Sequence, residues 1–383
     1  MNTRPVMRST LASFFLLAAI AMNAQETPAS HALALEKQGD WKQAEAAWRE
    51  AIQHSPSDGA AYAHLGLVLA REQDYAQAAE AYRKALGLKA NLPGIELNLG
   101  LALFKQEKMA DAIAPLQAAL AEAPDNMQAQ VLLGMCYYAT AHYDEAVPYL
   151  KRAVEKSPDN LQLHTVLAQS CLWAKQYDCT LEQYKQILQL NPDSAQADML
   201  AGEAMDGLND SAGAIRQFEA AAKASPTEPN VHFGLGYLLW KQHSYPEAAD
   251  QFKQELANDP NHTQALAYLG DVDIKQNDNA SALPLLEKAV KQTGAPRLAF
   301  VDLGILYADA GRNEEAVATF RHAIQMDPSE VDAHWRLGRL YASMGRPQEA
   351  KAELAKANEL HKQKDQPLAT QMQPSGASTT PSN

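Results

Sequence analysis

Three cysteines in 383 residues are too few for a disulfide framework, so packing must hold this chain together. Aromatic residues make up only 7% of it, and no β-branched runs of strand length stand out, which leaves little from which to build a sheet. After the N-terminus no apolar segment of about 20 residues appears, so no stable membrane insertion of the mature chain is expected. Motifs that carry chemistry are also missing. There is no phosphate-cradling GxxxxGK(S/T) loop, no GxSxG nucleophile elbow and no HExxH zinc motif. Basic residues are outnumbered 33 to 46, and the net charge of −13 disfavours nucleic acid and anionic membrane surfaces as partners.

What the chain does contain is helix-forming material. Apolar residues reach 46%, and Ala, Leu, Gln, Glu and Lys are abundant, so an all-α fold is expected. The N-terminus reads as an export signal: Arg4 and Arg8 precede the uncharged run Leu11 to Ala21, and small residues follow. Residues 1–24 are therefore assigned to a signal peptide cut within Ala21–Ala24, with a retained anchor as the alternative. The run is about 11 residues, short of the roughly 30 Å a spanning helix must cover. Export would place the mature chain in the periplasm or outside the cell, and loss of Arg4 and Arg8 makes it more acidic still.

The rest repeats. "GLVLAREQDYAQAAEAYRKAL", "GLALFKQEKMADAIAPLQAAL" and "GILYADAGRNEEAVATFRHAI" are one pattern written again and again. With the closing proline set as position 32, Pro56, Pro124, Pro158, Pro192, Pro226, Pro260 and Pro328 fall in register. Position 8 is glycine in most copies, from Gly66 to Gly338, position 20 is alanine in nearly all, and position 24 is always large and apolar. Ten copies of about 34 residues result: 25–58, 59–92, 93–126, 127–160, 161–194, 195–228, 229–262, 263–296, 297–330 and 331–362. Each copy predicts two antiparallel helices, with small residues at positions 8 and 20 for close approach and proline ending the second helix. Pro115, Pro148 and Pro284 fall early in second helices, where a mild distortion and no break is expected. Residues 363–383, rich in Pro, Ser, Thr and Gln, read as a disordered polar tail.

This pattern resembles the tetratricopeptide repeat family, whose W-x2-L-G-x2-Y…A-x3-F…P signature it follows over residues 25–362, although position 4 is rarely Trp. The resemblance implies a right-handed superhelical solenoid of helix pairs. It also implies that positions 2, 5, 9, 12 and 13 of the first helices line a concave face. Read at those positions, the chain offers Leu101 and Phe104, Met135 and Tyr138, Leu172 and Trp173, then Phe233, Tyr237 and Trp240 as a partner-binding groove. Charged residues there are fewer, among them Glu203, Asp206, Lys241 and Asp271. Exposed apolar surface with aromatic anchors suits a protein or peptide ligand, although tight coiling or self-association would bury the same residues. The carboxylate-clamp residues some members use do not assemble here: the matching positions of the second repeat are Ala63 and Leu67.

No catalytic residue, metal or cofactor is expected. Gly234-Leu235-Gly236 lies inside a helix with no strand before it, and His164, His232 and His334 share position 4 of separate repeats. Glu255 and Asp273 stand where apolar or small residues usually do, and hydrogen-bond donors are expected to satisfy them. Cys171 and Cys179 flank the turn of the atypical fifth repeat and fall within bridging reach, two buried thiols being the alternative. These readings converge on a non-catalytic scaffold that grips protein segments outside the cytoplasm, or an adaptor in envelope assembly or secretion. An enzyme or transferase subunit built on such a platform would need a catalytic cluster, and the regular period leaves no domain for one.

Overall fold

The computed structural model describes residues 27–89 and 92–364. Among them are twenty helices and no strand. The expected signal peptide lies outside the described residues, as does the expected tail save Gln363 and Lys364, which continue the last helix. Lys362 stands at the position where earlier repeats have proline, so nothing stops that helix on schedule. No helix among the described residues is long and apolar enough to cross a membrane.

The chain divides into two compact units between Ala141 and His142, within the turn of the fourth repeat. The first holds α1 (Pro28–Gln38), α2 (Trp41–His54), α3 (Gly59–Arg71), α4 (Tyr75–Gly87), α5 (Ile95–Lys105), α6 (Met109–Glu122) and α7 (Met127–Ala139). The second begins with α8 (Tyr143–Lys156), α9 (Leu161–Trp173), α10 (Tyr177–Leu190), α11 (Ala195–Gly207), α12 (Ser211–Ala224) and α13 (Val231–Lys241). It continues with α14 (Tyr245–Asn258), α15 (Thr263–Lys275), α16 (Asn279–Ala289), α17 (Arg297–Asp309), α18 (Asn313–Met326), α19 (Val331–Ser343) and α20 (Pro347–Lys364). Within each unit consecutive helices pack on one another as a repeating stack.

Local chemistry sets these boundaries. Asp40, Asp74, Asp210 and Asp278 each cap a second helix by accepting a backbone N–H from the first turn. Asp58, Asn126, Asn160 and Ser194 do the same for first helices. Between the two helices of every repeat, the residue at position 15 has positive φ: glycine at Gly39, Gly311 and Gly345, but Gln73, Glu107, Ala141, Lys175, Asn209, His243 and Asn277 elsewhere. The next residue's N–H then bonds back to the carbonyl five residues earlier, as from Asp74 to Leu69 at 2.9 Å, which closes the hairpin in the manner of a Schellman turn. α6, α8 and α16 run through Pro115, Pro148 and Pro284 without a break.

Glycine at position 8 makes room for the large residue at position 24 of the same repeat. A Cβ on Gly236 would sit 2.7 Å from the Phe252 ring, and Phe252 is fully buried. Gly234 faces the Phe218 ring of the preceding repeat just as tightly. The Gly234-Leu235-Gly236 fragment is thus a double recess for two phenylalanines.

Side chains strap consecutive repeats together through the carbonyl of the closing proline. Gln130 donates to Pro124 at 2.7 Å, His164 to Pro158 at 2.8 Å and His334 to Pro328 at 3.2 Å, all three from position 4. Asn258 does so to Pro226 at 2.9 Å and Lys288 to Pro260 at 2.6 Å. At the joint of repeats 5 and 6, position 4 is Asp198, whose carboxylate instead meets the Tyr184 hydroxyl at 3.2 Å.

Candidate partner-binding groove

In the second unit, the first helices of repeats 5, 6 and 7 enclose a cavity of about 580 Å³. Its walls come from three places. The end of α9 supplies Leu172 and Trp173, and the turn into α10 supplies Lys175 and Tyr177. α11 adds Met199, Glu203 and Asp206, with Phe218 beneath from α12. α13 closes the far side with Phe233, Tyr237 and Leu238. The size suits one or two large side chains of an extended segment.

Four of the expected groove residues therefore share one cavity: Leu172, Trp173, Phe233 and Tyr237. Trp173 is 60% exposed and stacks on Tyr143 at 6.1 Å, so its face stands at the rim. Trp240, one turn beyond Tyr237, does not line the cavity. Its indole N–H donates to Asp271 at 2.6 Å, and its ring meets Tyr268 edge-on at 5.0 Å. Leu101 and Phe104 on α5 and Met135 and Tyr138 on α7 belong to the first unit, where all four are half-buried. Lys175 and Tyr177 were outside the positions read as groove-lining; they enter because the left-handed turn at Lys175 folds back toward α11.

The charges at the cavity are unequal in their ties. Asp206 is held by Lys241, whose ammonium lies 2.7 Å from one carboxylate oxygen and 2.8 Å from the other. Glu203 makes no hydrogen bond or ion pair among the described residues. It keeps contact with solvent at the mouth, yet the surrounding walls desolvate it and raise its pKa above the ordinary glutamate value. The sulfurs of Cys171 and Cys179 lie 2.03 Å apart with their Cα atoms at 5.8 Å, so a bond there closes the short loop that carries Leu172, Trp173, Lys175 and Tyr177.

Beyond the cavity the first-helix face changes character. Asp271 on α15 and Asp302 on α17 are 2% and 6% exposed, and one oxygen of Asp302 has no partner. Burial, and then the Asp271 charge beside it, push the Asp302 carboxyl up to about 8, against the opposing pull of Lys275 and Arg336. Glu255 and Asp273, also buried, are not paired with each other. Glu255 accepts N–H groups from Asn230 at 3.0 Å, His232 at 3.2 Å and Phe233 at 3.0 Å, supplying the α13 N-terminus with the cap its own Asn230 does not provide. Asp273 is raised by burial and by the nearby Asp278. The three position-4 histidines meet Gln183, Gln251 and Glu353, each on a second helix of its own repeat. Among the described residues no group of three or more metal-ligating side chains occurs.

Family models described as tetratricopeptide repeat match residues 30–93, 97–160, 206–263 and 233–297, and a second such model matches 141–203 and 307–371. No curated protein matches the sequence. Among solved structures, a tetratricopeptide repeat protein from Parabacteroides merdae is similar over 64% of this chain and 96% of its own, at 18% identity and a TM-score of 0.50. PilF of Pseudomonas aeruginosa is similar over 54% and 94%, at 16% identity and a TM-score of 0.49. YrrB, described as a repeat protein with an unusual peptide-binding site, is similar over 47% and 92%, at 23% identity and a TM-score of 0.41.

Proposed function

The chain belongs to the tetratricopeptide repeat family of protein–protein interaction scaffolds, and from that premise we propose that it holds an extended peptide or protein segment in the cavity of repeats 5 to 7. The supporting observation is the 580 Å³ recess itself, where Leu172, Phe233 and Tyr237 converge beneath the exposed Trp173. Burying that surface against apolar side chains of a partner provides affinity, and the aromatic rings provide anchors. The role is non-catalytic: Glu255, Asp273 and the position-4 histidines are engaged in caps, core and inter-helix contacts, away from the cavity lining. The signal-like N-terminus supports a location outside the cytoplasm, in the periplasm or secreted. In that oxidising setting Cys171 and Cys179 are bridged.

The test is site-specific photocrosslinking in the native host. A crosslinker at Tyr237 is expected to trap a protein partner, and one at Lys185, on the second helix of the fifth repeat, is not. Equal adducts from both positions, or none from Tyr237, would remove the groove. N-terminal sequencing of the mature protein checks export, with a start near residue 25 expected. Alkylation followed by mass spectrometry checks the bridge, since reactive Cys171 in the exported protein would exclude it.

A further inference from the structure

We propose that the segment held in this cavity carries an arginine or lysine beside an apolar side chain, with its positive charge on Glu203 and its stem along Trp173. The inference rests on the groove reading above and names the ligand's chemistry. Three observations lead to it.

First, Glu203 and Lys175 are the charges of the cavity lining that make no ion pair among the described residues, and Glu203 is the anion of the two. Asp206, one turn away on α11, already has the Lys241 ammonium at 2.7 Å. Lys175, across the cavity on the α9–α10 turn, makes no ion pair with Glu203 among the described residues. Glu203 is exposed at the mouth of a lining that includes Met199, Phe233 and Leu238, has no partner there, and is raised in pKa by partial desolvation. A cation brought in by a ligand would restore the balance in a setting drier than open solvent, where the attraction is stronger.

Second, this chain already seats cations on aromatic faces of its own. The Arg339 guanidinium lies 4.7 Å from the Trp335 ring centroid, and that of Arg312 lies 4.0 Å from Tyr307. Trp173 is more exposed than Trp335, at 60% against 41%, and among the described residues no such cation covers it. Its open face at the rim offers the same favourable quadrupole to an incoming side chain.

Third, the net charge of −13 attracts basic segments and repels acidic ones over distances longer than any contact. An apolar recess with one loose carboxylate, in an acidic protein, is complementary to a basic–apolar pair.

The experiment is selection of a phage-displayed random dodecapeptide library on the full protein, followed by affinity measurement of the enriched peptides by fluorescence anisotropy. Glu203→Gln and Phe233→Ala are assayed in parallel, with circular dichroism confirming that both stay folded. The expected result is enrichment of peptides with Arg or Lys next to an aliphatic or aromatic residue. Their affinity should fall about tenfold in Glu203→Gln, and by a similar factor when citrulline replaces the arginine. Peptides that need Phe233, lack a basic residue and ignore Glu203→Gln would overturn the cation inference and leave the groove standing. If no selected peptide depends on Phe233, both readings fall.

Discussion

Repeats 5 to 7 and repeats 8 to 9 share one frame yet treat their first-helix faces in opposite ways. In the former, the face opens into a recess of about 580 Å³ with an unpaired carboxylate, Glu203, and an exposed tryptophan. In the latter, Asp271 and Asp302 are packed out of water, and Trp240 and Lys275 close over Asp271. Outside the atypical fifth repeat the frame positions are the same in both: glycine at 202, 236, 270 and 304 stands under Phe218, Phe252, Leu286 and Phe320. Stability thus resides in positions 8, 20 and 24, and the face is free to become either a receptor or a polar seal.

The sharpest way to break this comparison is to exchange frame for face. Phe252→Ala empties a fully buried site and is expected to cost about 3–5 kcal/mol in urea unfolding, without any direct contact with a ligand. Phe233→Ala, at a half-buried face position, should cost roughly 1–2 kcal/mol and abolish peptide capture. If the two variants lose stability equally, the division between frame and face is wrong.

Glu255→Gln comes next. It removes the charge that receives three backbone N–H groups at the start of α13, and a loss of about 1–3 kcal/mol is expected. Because Phe233 is one of the three donors, peptide affinity should weaken too, which ties the cap to the receptor.

Asp302→Asn probes the seal. The folded carboxyl titrates near 8 and the unfolded one near 3.8, so the folded chain holds a proton that the unfolded chain releases. That contribution is complete below the unfolded value and is lost as pH rises through about 8. Between pH 6 and 9 the native chain should therefore lose about 2 kcal/mol relative to Asp302→Asn, read from paired thermal melts. Parallel pH profiles would show that burial beside Asp271 does not keep Asp302 protonated above the ordinary carboxylate range.

The smallest effect concerns the turns. Glu107 adopts a left-handed conformation at φ 59°, and Glu107→Gly should stabilise the first unit by up to about 1 kcal/mol, measured by differential scanning calorimetry.

The period made the fold readable because every frame position has a steric reason to recur. Gly66, Gly100 and their counterparts, with the large residues at position 24, announce a hairpin wherever they appear together. The turns were less legible: only Gly39, Gly311 and Gly345 advertise a left-handed residue, whereas Gln73 and His243 are forced into it by the hairpin they close. The cavity was half legible. Leu172, Trp173, Phe233 and Tyr237 stood out as apolar residues at face positions. Trp240 stood out equally, but its acceptor Asp271 lies 31 residues away, and local pattern carries no trace of that bond. Asp302 is silent for the same reason: position 6 has no fixed residue, and its neighbour is one repeat back.

The straps on the proline carbonyls also distinguish one joint of the array from another. Five joints carry a side-chain donor across them, from Gln130 to His334. Asp198 occupies the corresponding position between repeats 5 and 6, and an ionised carboxylate has no proton to give a carbonyl oxygen. That joint is bridged instead by the Tyr184 hydroxyl, 3.2 Å from Asp198 and 2.9 Å from Gln217, and it runs beside Met199 at the recess. An occupant seated between α9 and α13 would span that joint, tying repeats 5 and 7 together across a place where the proline strap is missing.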